Sequence, residues 1–207
     1  YHYPPIASGG TERALSLVRH LPSQGYRPPV LTTDAFGDEG PGSVYRAGEA
    51  VGLYRKLFNR ASQALPSHTR SRSRTESSLT PLARLARSVL IPDGQIGWLP
   101  SAYRAARHIL NTHPIRLILT TGPPFSAHLL GLALHQTTCL PWVADYRDAW
   151  TYDPLDPHLN TSRVRLSLEK GLERLVLKAA THVTCATDVC SSYLRRVSPT
   201  SSVSLVP

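Results

Sequence analysis

Residues Leu117 to Trp150 read LILTTGPPFSAHLLGLALHQTTCLPWVADYRDAW. The stretch opens on a short apolar run at 117–119, which is typical of a buried strand. The turn Gly122-Pro123-Pro124 stops that strand, because proline lacks an N–H and glycine tolerates positive φ. A helical apolar face follows at 125–134, and residues 141–144 restart an extended run. The stretch therefore predicts a strand, a helix and a second strand, which together form a βαβ unit.

Four residues follow the second strand at once: Asp145, Tyr146, Arg147 and Asp148. In open α/β sheets ligands bind beyond the carboxyl ends of the strands, so these are candidate site residues. Two carboxylates that flank an arginine can bind a polyol acceptor, or they can form an internal ion-pair network that positions the next loop. Both interpretations stay open for Asp145, whereas a functional role is favoured for Arg147 and Asp148.

Strands and helices alternate through the rest of the chain. The predicted helices are at 11–21, 54–65, 81–90, 98–111, 162–179 and 188–197, and the predicted strands at 29–33, 44–47, 183–186 and 202–206. This alternation predicts a three-layer α/β, Rossmann-like domain with a mostly parallel, doubly wound sheet of about six or seven strands. Tyr1-His2-Tyr3 is predicted to be the tail of a first strand. The helix at 162–179 is expected to bury Leu166, Leu168, Leu172, Leu175 and Val176.

The composition is that of a globular domain with a strong positive charge. The chain has 207 residues, 41% of them hydrophobic, and a formal net charge of +9, which favours anionic partners. No apolar run approaches the roughly 20 residues that span a bilayer, and the first residues lack the features of a signal peptide. Three cysteines without a CxxC pair suit a reducing cytoplasm. There is no methionine, the chain starts at Tyr1, and residues 202–207 stop inside a predicted strand, so we expect a fragment that is cut at both ends.

Gly9-Gly10-Thr11 opens the first predicted helix. Two residues without side chains let a ligand approach the backbone, and the helix N-terminus behind them offers free N–H groups to an anion. A glycine pair alone is most often a turn, and the GxGxxG fingerprint of dinucleotide binding is absent. Placed between a strand remnant and a helix, the pair is at least as good a candidate for a binding loop.

His128 lies one turn into the helix that follows Pro124 and Phe125. There it can face the cleft and hydrogen-bond an acceptor hydroxyl, or it can be a hydrogen-bonded helix histidine without a functional role. His135 follows seven residues later, too far for a compact chelate, so no metal site is predicted. No P-loop or zinc motif is readable, and no cofactor is expected.

The stretch from Arg55 to Arg87 contains eight basic residues and one acid, Glu76. We expect a group of these basic side chains to face an anionic membrane. They are Arg55, Lys56, Arg60, Arg70, Arg72 and Arg74. A solvated surface is the alternative. Nucleic acid is disfavoured, because Tyr54 and Phe58 are the only aromatic residues interleaved with the charges.

Four segments together resemble the amino-terminal half of family 4 glycosyltransferases, which have the GT-B architecture of two Rossmann-like domains. The segments are SGGTERAL at 8–15, PDGQIGWLPSAYRAARHIL at 92–110, TGPPFSAHLLGL at 121–132 and PWVADYRDAW at 141–150. Some members of the family have a histidine in the loop after the strand that corresponds to residues 141–144. This chain has Tyr146-Arg147 there, and so is similar to the subgroup with an aromatic-Arg-Asp signature.

The resemblance implies that residues 1–207 are a single acceptor-side domain and that the carboxyl-terminal donor domain is absent. It implies sugar transfer from a nucleotide-sugar to an acceptor hydroxyl of a lipid-linked or polymeric glycan, with retention and without a metal. Arg147 and Asp148 would be catalytic. The substrate-binding residues would be Gly9, Gly10, Thr11, Pro124, Phe125, His128, Asp145 and Tyr146.

The resemblance also implies that the fragment is inactive alone. The cysteine usage predicts a cytoplasmic protein, and the basic stretch from Arg55 to Arg87 predicts peripheral binding at the inner face of the membrane. An alternative from another class is a non-catalytic Rossmann-like module that binds an anionic membrane surface or nucleic acid.

Overall fold

The computed structural model describes residues 1–5, 9–35, 37, 43–48, 90–152 and 162–207. The helices of these ranges are α1 (Gly9–His20), α2 (Leu99–Thr112), α3 (Ser126–Thr138), α4 (Arg163–Ala179) and α5 (Asp188–Val197), with 3-10 turns at Leu21–Gln24 and Gly94–Trp98. The strands are β1 (Val30–Thr33), β2 (Val44–Ala47), β3 (Ile118–Gly122), β4 (Trp142–Tyr146), β5 (His182–Cys185) and β6 (Val203–Leu205). The predicted helix at 54–65 and residues 81–89 of the predicted helix at 81–90 lie outside the described residues, and Leu90 is not helical. No helix within these ranges is both long and apolar enough to cross a membrane.

The strands form parallel sheets that are covered by helices. β1 pairs with β2, and β3, β4, β5 and β6 lie side by side in chain order. Helix α2 packs against β1, β2 and α3, while α3 packs on β3 and β4, and α5 on β5 and β6. This arrangement confirms the predicted α/β, Rossmann-like class. In the described ranges the strands form one sheet of two and one of four, in place of the single larger sheet that was predicted.

The predicted first strand at Tyr1–Tyr3 is not a strand in the structure. The segment nevertheless lies beside β1, because Thr32 Oγ1 donates a hydrogen bond of 2.7 Å to the Tyr1 carbonyl. The Tyr1 ring also packs edge-on against Trp98, with 5.6 Å between the ring centroids. Its side chains therefore pack into the domain although no strand forms there.

The central βαβ unit forms as predicted, with longer elements. β3 continues past its apolar run to Gly122, because Thr121 pairs with Asp145 of β4 in the ladder. Trp142 of β4 is fully buried, and its indole N–H donates to Thr120 Oγ1 at 2.9 Å. A Cβ on Gly131 of α3 would overlap with the indole ring. Gly131 therefore allows the close contact between α3 and β4.

Helix α4 has the predicted bounds to within one residue, but its buried face differs from the prediction. Leu168 and Leu175, which were expected in the core, are 53% and 47% exposed. The buried positions are Glu169, Glu173, Val176 and Leu177. Of the five residues predicted for the core, Val176 is fully buried and Leu166 and Leu172 are half-buried, so the prediction was wrong at Leu168 and Leu175. The two glutamates can be buried because each has hydrogen-bond partners.

Replacing Gly131 by alanine should destabilise the fold, whereas Gly171→Ala should stabilise it. A Cβ at Gly171, in the middle of α4, meets nothing within 4 Å, so alanine there should gain up to about 1 kcal/mol of helix propensity. The added methyl at position 131 would press on Trp142 and cost about 1–3 kcal/mol, as overpacking does in cores. Urea unfolding measures both changes, and equal free energies of unfolding for the two variants would contradict this packing.

Candidate functional site

A pocket of about 500 Å³ opens at the carboxyl edge of the four-stranded sheet. Its lining comes from residues just beyond β3, β4 and β5, from the start of α1 and from the amino-terminal segment. These residues are Pro123, Arg147, Asp148, Ala186, Gly9, Gly10, Arg13 and His2. The pocket therefore lies at the sheet edge where ligands bind in open α/β folds.

Gly9 and Gly10 are the first residues of α1 rather than a turn before it. The first N–H groups of a helix have no partner within the helix, and the aligned peptide dipoles make that end positive. Gly9 is exposed, whereas Gly10 is buried against the Arg147 guanidinium, with which a Cβ at position 10 would overlap. Glycine at position 10 therefore leaves the space that the arginine occupies.

The Arg147 side chain is half-buried and is held by the backbone that ends β3. Nε donates to the Gly122 carbonyl at 3.2 Å, and Nη2 donates to the Pro123 carbonyl. Burial lowers the pKa of Arg147, while the charges of Asp148 and Asp145 oppose that shift. Neither of the ion pairs found in the described part of the chain involves Arg147. Arg147 lines the pocket, and among the described residues its positive charge has no paired carboxylate.

The Asp145 carboxylate is buried and forms an ion pair with Arg13 of α1. Arg13 Nη2 and Nε donate to its two oxygens at 2.7 and 2.8 Å, and the hydroxyls of Thr184 and Thr121 donate at 2.7 and 2.9 Å. Burial alone would raise the pKa of Asp145, but these hydrogen bonds and the Arg13 charge together hold it below its usual value. The contacts correspond to the internal network that was one of the two interpretations of Asp145.

His128 and Tyr146 are completely buried and do not line the pocket. Their rings stack with 4.6 Å between centroids, and His128 Nδ1 lies 2.9 Å from Thr120 Oγ1. Burial lowers the pKa of His128 to about 3, an effect that Asp145 opposes and Arg147 reinforces. Among the described residues, neither His128 Nε2 nor the Tyr146 hydroxyl has a hydrogen-bond partner. In this conformation both residues support the strand ends from inside the domain.

The loop after β4 is anchored by Glu173 of α4. Its buried carboxylate accepts hydrogen bonds from the Trp150 backbone N–H at 3.2 Å, from Thr151 Oγ1 at 2.7 Å and from the Tyr193 hydroxyl at 2.8 Å. All three donors are neutral, and burial raises the pKa of Glu173 against their effect. The Trp150 ring stacks on Phe125 with 5.0 Å between centroids and 1° between planes. The loops that follow β3 and β4 are therefore held together beside the pocket.

The other predicted site residues are not part of the pocket lining. Thr11 and Pro124 are buried and Phe125 is half-buried, and none of the three lines the pocket. The basic residues predicted to face a membrane lie outside the described residues. These are Arg55, Lys56, Arg60, Arg70, Arg72 and Arg74. Within the described ranges, no group of three or more histidine, cysteine, aspartate or glutamate side chains is placed to hold a metal ion.

The structure adds three lining residues that were not among the predicted site residues, namely His2, Arg13 and Ala186. Arg13 had a readable signal. It is the first basic residue after the glycine pair, and an aspartate at the end of a buried strand needs a cation or several donors. Ala186 and His2 carry no such signal, because only the fold brings them to the sheet edge.

Fold and pocket together define an α/β, Rossmann-like domain with a pocket that contains two arginines at the carboxyl edge of its sheet. Among solved structures the chain is similar to sucrose-phosphate synthase from Thermosynechococcus elongatus, with a TM-score of 0.62 and 18% sequence identity. The match covers 97% of this chain and 43% of that chain, so the chain spans less than half the length of the synthase. No model of a known protein family matches the chain, and no curated protein matches it. At this identity the likeness shows the fold.

The free energy of unfolding should fall as the pH drops from 6.5 towards 3, in part through His128. Its folded pKa of about 3 lies below the ordinary value of 6.5, so between these values the unfolded chain binds a proton that the folded chain does not. The slope of the unfolding free energy against pH approaches about 1.4 kcal/mol per pH unit in this range. The contribution of neutral His128 to stability is fully present above pH 6.5. His128→Gln should flatten this part of the profile. Unfolding curves across that range measure the change, and an unchanged slope in His128→Gln would contradict the burial.

Proposed function

We propose that the chain is the acceptor-side, amino-terminal domain of a GT-B glycosyltransferase similar to family 4. The complete enzyme would move a sugar from a nucleotide-sugar to an acceptor hydroxyl of a lipid-linked or polymeric glycan, with retention and without a metal. One observation carries the proposal: the N-terminus of α1, Arg147 and Asp148 converge on one pocket at the carboxyl edge of a parallel sheet. The likeness in fold to part of sucrose-phosphate synthase supports it.

Gly9, Gly10 and Arg147 are suited to the donor diphosphate. The N–H groups that open α1 and the half-buried guanidinium both present positive charge to the pocket. A diphosphate is the anionic group that a nucleotide-sugar brings, and it gains negative charge as the sugar departs. Groups that are already fixed in place stabilise such developing charge without reorganising.

Asp148 is the carboxylate suited to the acceptor. It is exposed, it lines the pocket, and it takes part in neither ion pair of the described residues. An ionised carboxylate accepts hydrogen bonds, so it can orient an acceptor hydroxyl toward the donor sugar. Asp145 has a different role in this proposal, because Arg13 and two threonines already occupy its oxygens. It holds α1, and with α1 the glycine pair, against the sheet.

A second domain would supply the remaining contacts with the nucleotide-sugar. Of the two pocket arginines, Arg13 is already paired with Asp145, which leaves Arg147 as the cation for the donor in the described part of the lining. We therefore propose that the isolated chain is inactive. Docking of the Arg55–Arg87 stretch on the inner face of the cytoplasmic membrane belongs to the same proposal, because it would bring a lipid-linked acceptor to the enzyme.

The isolated chain should release no nucleoside diphosphate from UDP-, GDP- or ADP-sugars, whereas a polypeptide that joins it to a donor domain should do so. In the joined polypeptide, Arg147→Ala should lower kcat/KM by about 10²–10³-fold, because a fixed charge on the departing diphosphate is lost. A coupled assay of nucleoside diphosphate release measures this, with Gly171→Ala in α4 as the control outside the pocket.

Turnover by the isolated chain would contradict the need for a second domain. Unchanged kcat/KM in Arg147→Ala would contradict the proposal that Arg147 stabilises the departing diphosphate. A reading frame that stops soon after Pro207 would instead favour the non-catalytic binding module.

A further inference from the structure

The outward face of α4 has an unusual distribution of charge. Both acidic residues of the helix point inward, since Glu169 is 7% and Glu173 0% exposed. Arg165 pairs with Glu169 at 2.7 Å and is also turned partly inward. The remaining charged side chains of the helix are exposed and are all positive. They are Arg163, Lys170, Arg174 and Lys178.

An apolar strip runs beside these charges on the same exposed face. It consists of Val164, Leu168 and Leu175, which are 72%, 53% and 47% exposed. Positions separated by four and seven residues lie on one side of a helix, so the three side chains lie along the same side of α4. Gly171 lies on that side and adds no polar group. At about 100° per residue, the four basic positions form the adjacent flank.

We propose that this outward face of α4 docks on an anionic lipid surface. An apolar strip flanked by lysine and arginine is the arrangement with which a helix lies in the bilayer interface. The aliphatic side chains would enter the boundary between head groups and acyl chains, and the basic flank would contact the lipid phosphates. The absence of an exposed acid on this helix face removes the repulsion that the phosphates would otherwise meet.

Other partners fit this face less well. A second copy of the chain would bring four positive charges against four positive charges if two α4 faces met. Nucleic acid would be attracted to the basic flank, but the strip offers no aromatic side chain on which a base could stack. A lipid surface would contact the apolar strip with its acyl chains and the basic flank with its phosphates. This inference rests on α4 alone and does not depend on the proposed glycosyl transfer.

The test is co-sedimentation of the chain with vesicles, using two variants that are matched in charge and exposure. Leu168→Glu changes the apolar strip of α4, and Val189→Glu makes the same substitution at a residue of α5 that is also 53% exposed. The vesicles are phosphatidylcholine alone, or phosphatidylcholine mixed with an equal amount of phosphatidylglycerol. Leu168→Glu should weaken binding to the mixed vesicles by about tenfold or more, while Val189→Glu should change it by about twofold or less.

A second pair of variants tests the basic flank. Arg174→Glu should weaken binding to the mixed vesicles, and added salt should remove the difference from wild type, because screening suppresses the attraction. Arg104→Glu, at an exposed position of α2, is its control. Circular dichroism checks that all four variants are folded.

Equal binding of Leu168→Glu and Val189→Glu would overturn the proposal, even if vesicles capture both through another part of the chain. Equal binding of the wild-type chain to neutral and mixed vesicles would overturn it as well. So would a wild-type dimer that Leu168→Glu converts to a monomer in sedimentation equilibrium, because α4 would then be an interface between copies.

Discussion

The structure around the pocket depends on the ion pair between Arg13 and Asp145. Asp145 lies at the end of β4, the strand between β3 and β5, and its oxygens take up donors from both neighbouring strands and from α1. Asp145 is buried and Arg13 half-buried, so removing Arg13 would leave an uncompensated buried carboxylate. Such a loss costs about 3–5 kcal/mol in fully buried pairs. The pair therefore fixes α1 on the sheet, and with it the position of the glycine pair at the pocket.

The ion pair also determines how the Arg147 guanidinium is held at the pocket. With α1 held in place, Gly10 lies so close to Arg147 that no side chain fits between them. The guanidinium is then confined between the helix and the carbonyl groups of Gly122 and Pro123. On the other side, Glu173 anchors the backbone at Trp150. The arginine is thus fixed before any ligand arrives, which is what an electrostatic site needs.

The sequence predicted the parts of this arrangement that local patterns encode. The βαβ unit and the charged tip at Arg147 and Asp148 follow from an apolar run, a glycine-proline turn and the rule for sheet edges. The Arg13–Asp145 pair joins residues 132 positions apart. The sequence indicates that Asp145 needs a cation or several donors, but only the fold shows that Arg13 is the cation. The exposure of Leu168 and Leu175 in α4 was missed for a related reason. The buried Glu173 receives its hydrogen bonds from a loop and from another helix, which leucine spacing alone does not reveal.

The most direct measurement is an NMR titration of the 207-residue chain with inorganic pyrophosphate. We expect saturable shifts at the backbone amides of Gly9 and Gly10 and at Arg147 Nε. We also expect much weaker binding in Gly10→Ala, because the added methyl displaces the guanidinium. Shifts confined to the outward face of α4, or unchanged affinity in Gly10→Ala, would contradict the claim that the helix and the arginine together form an anion site.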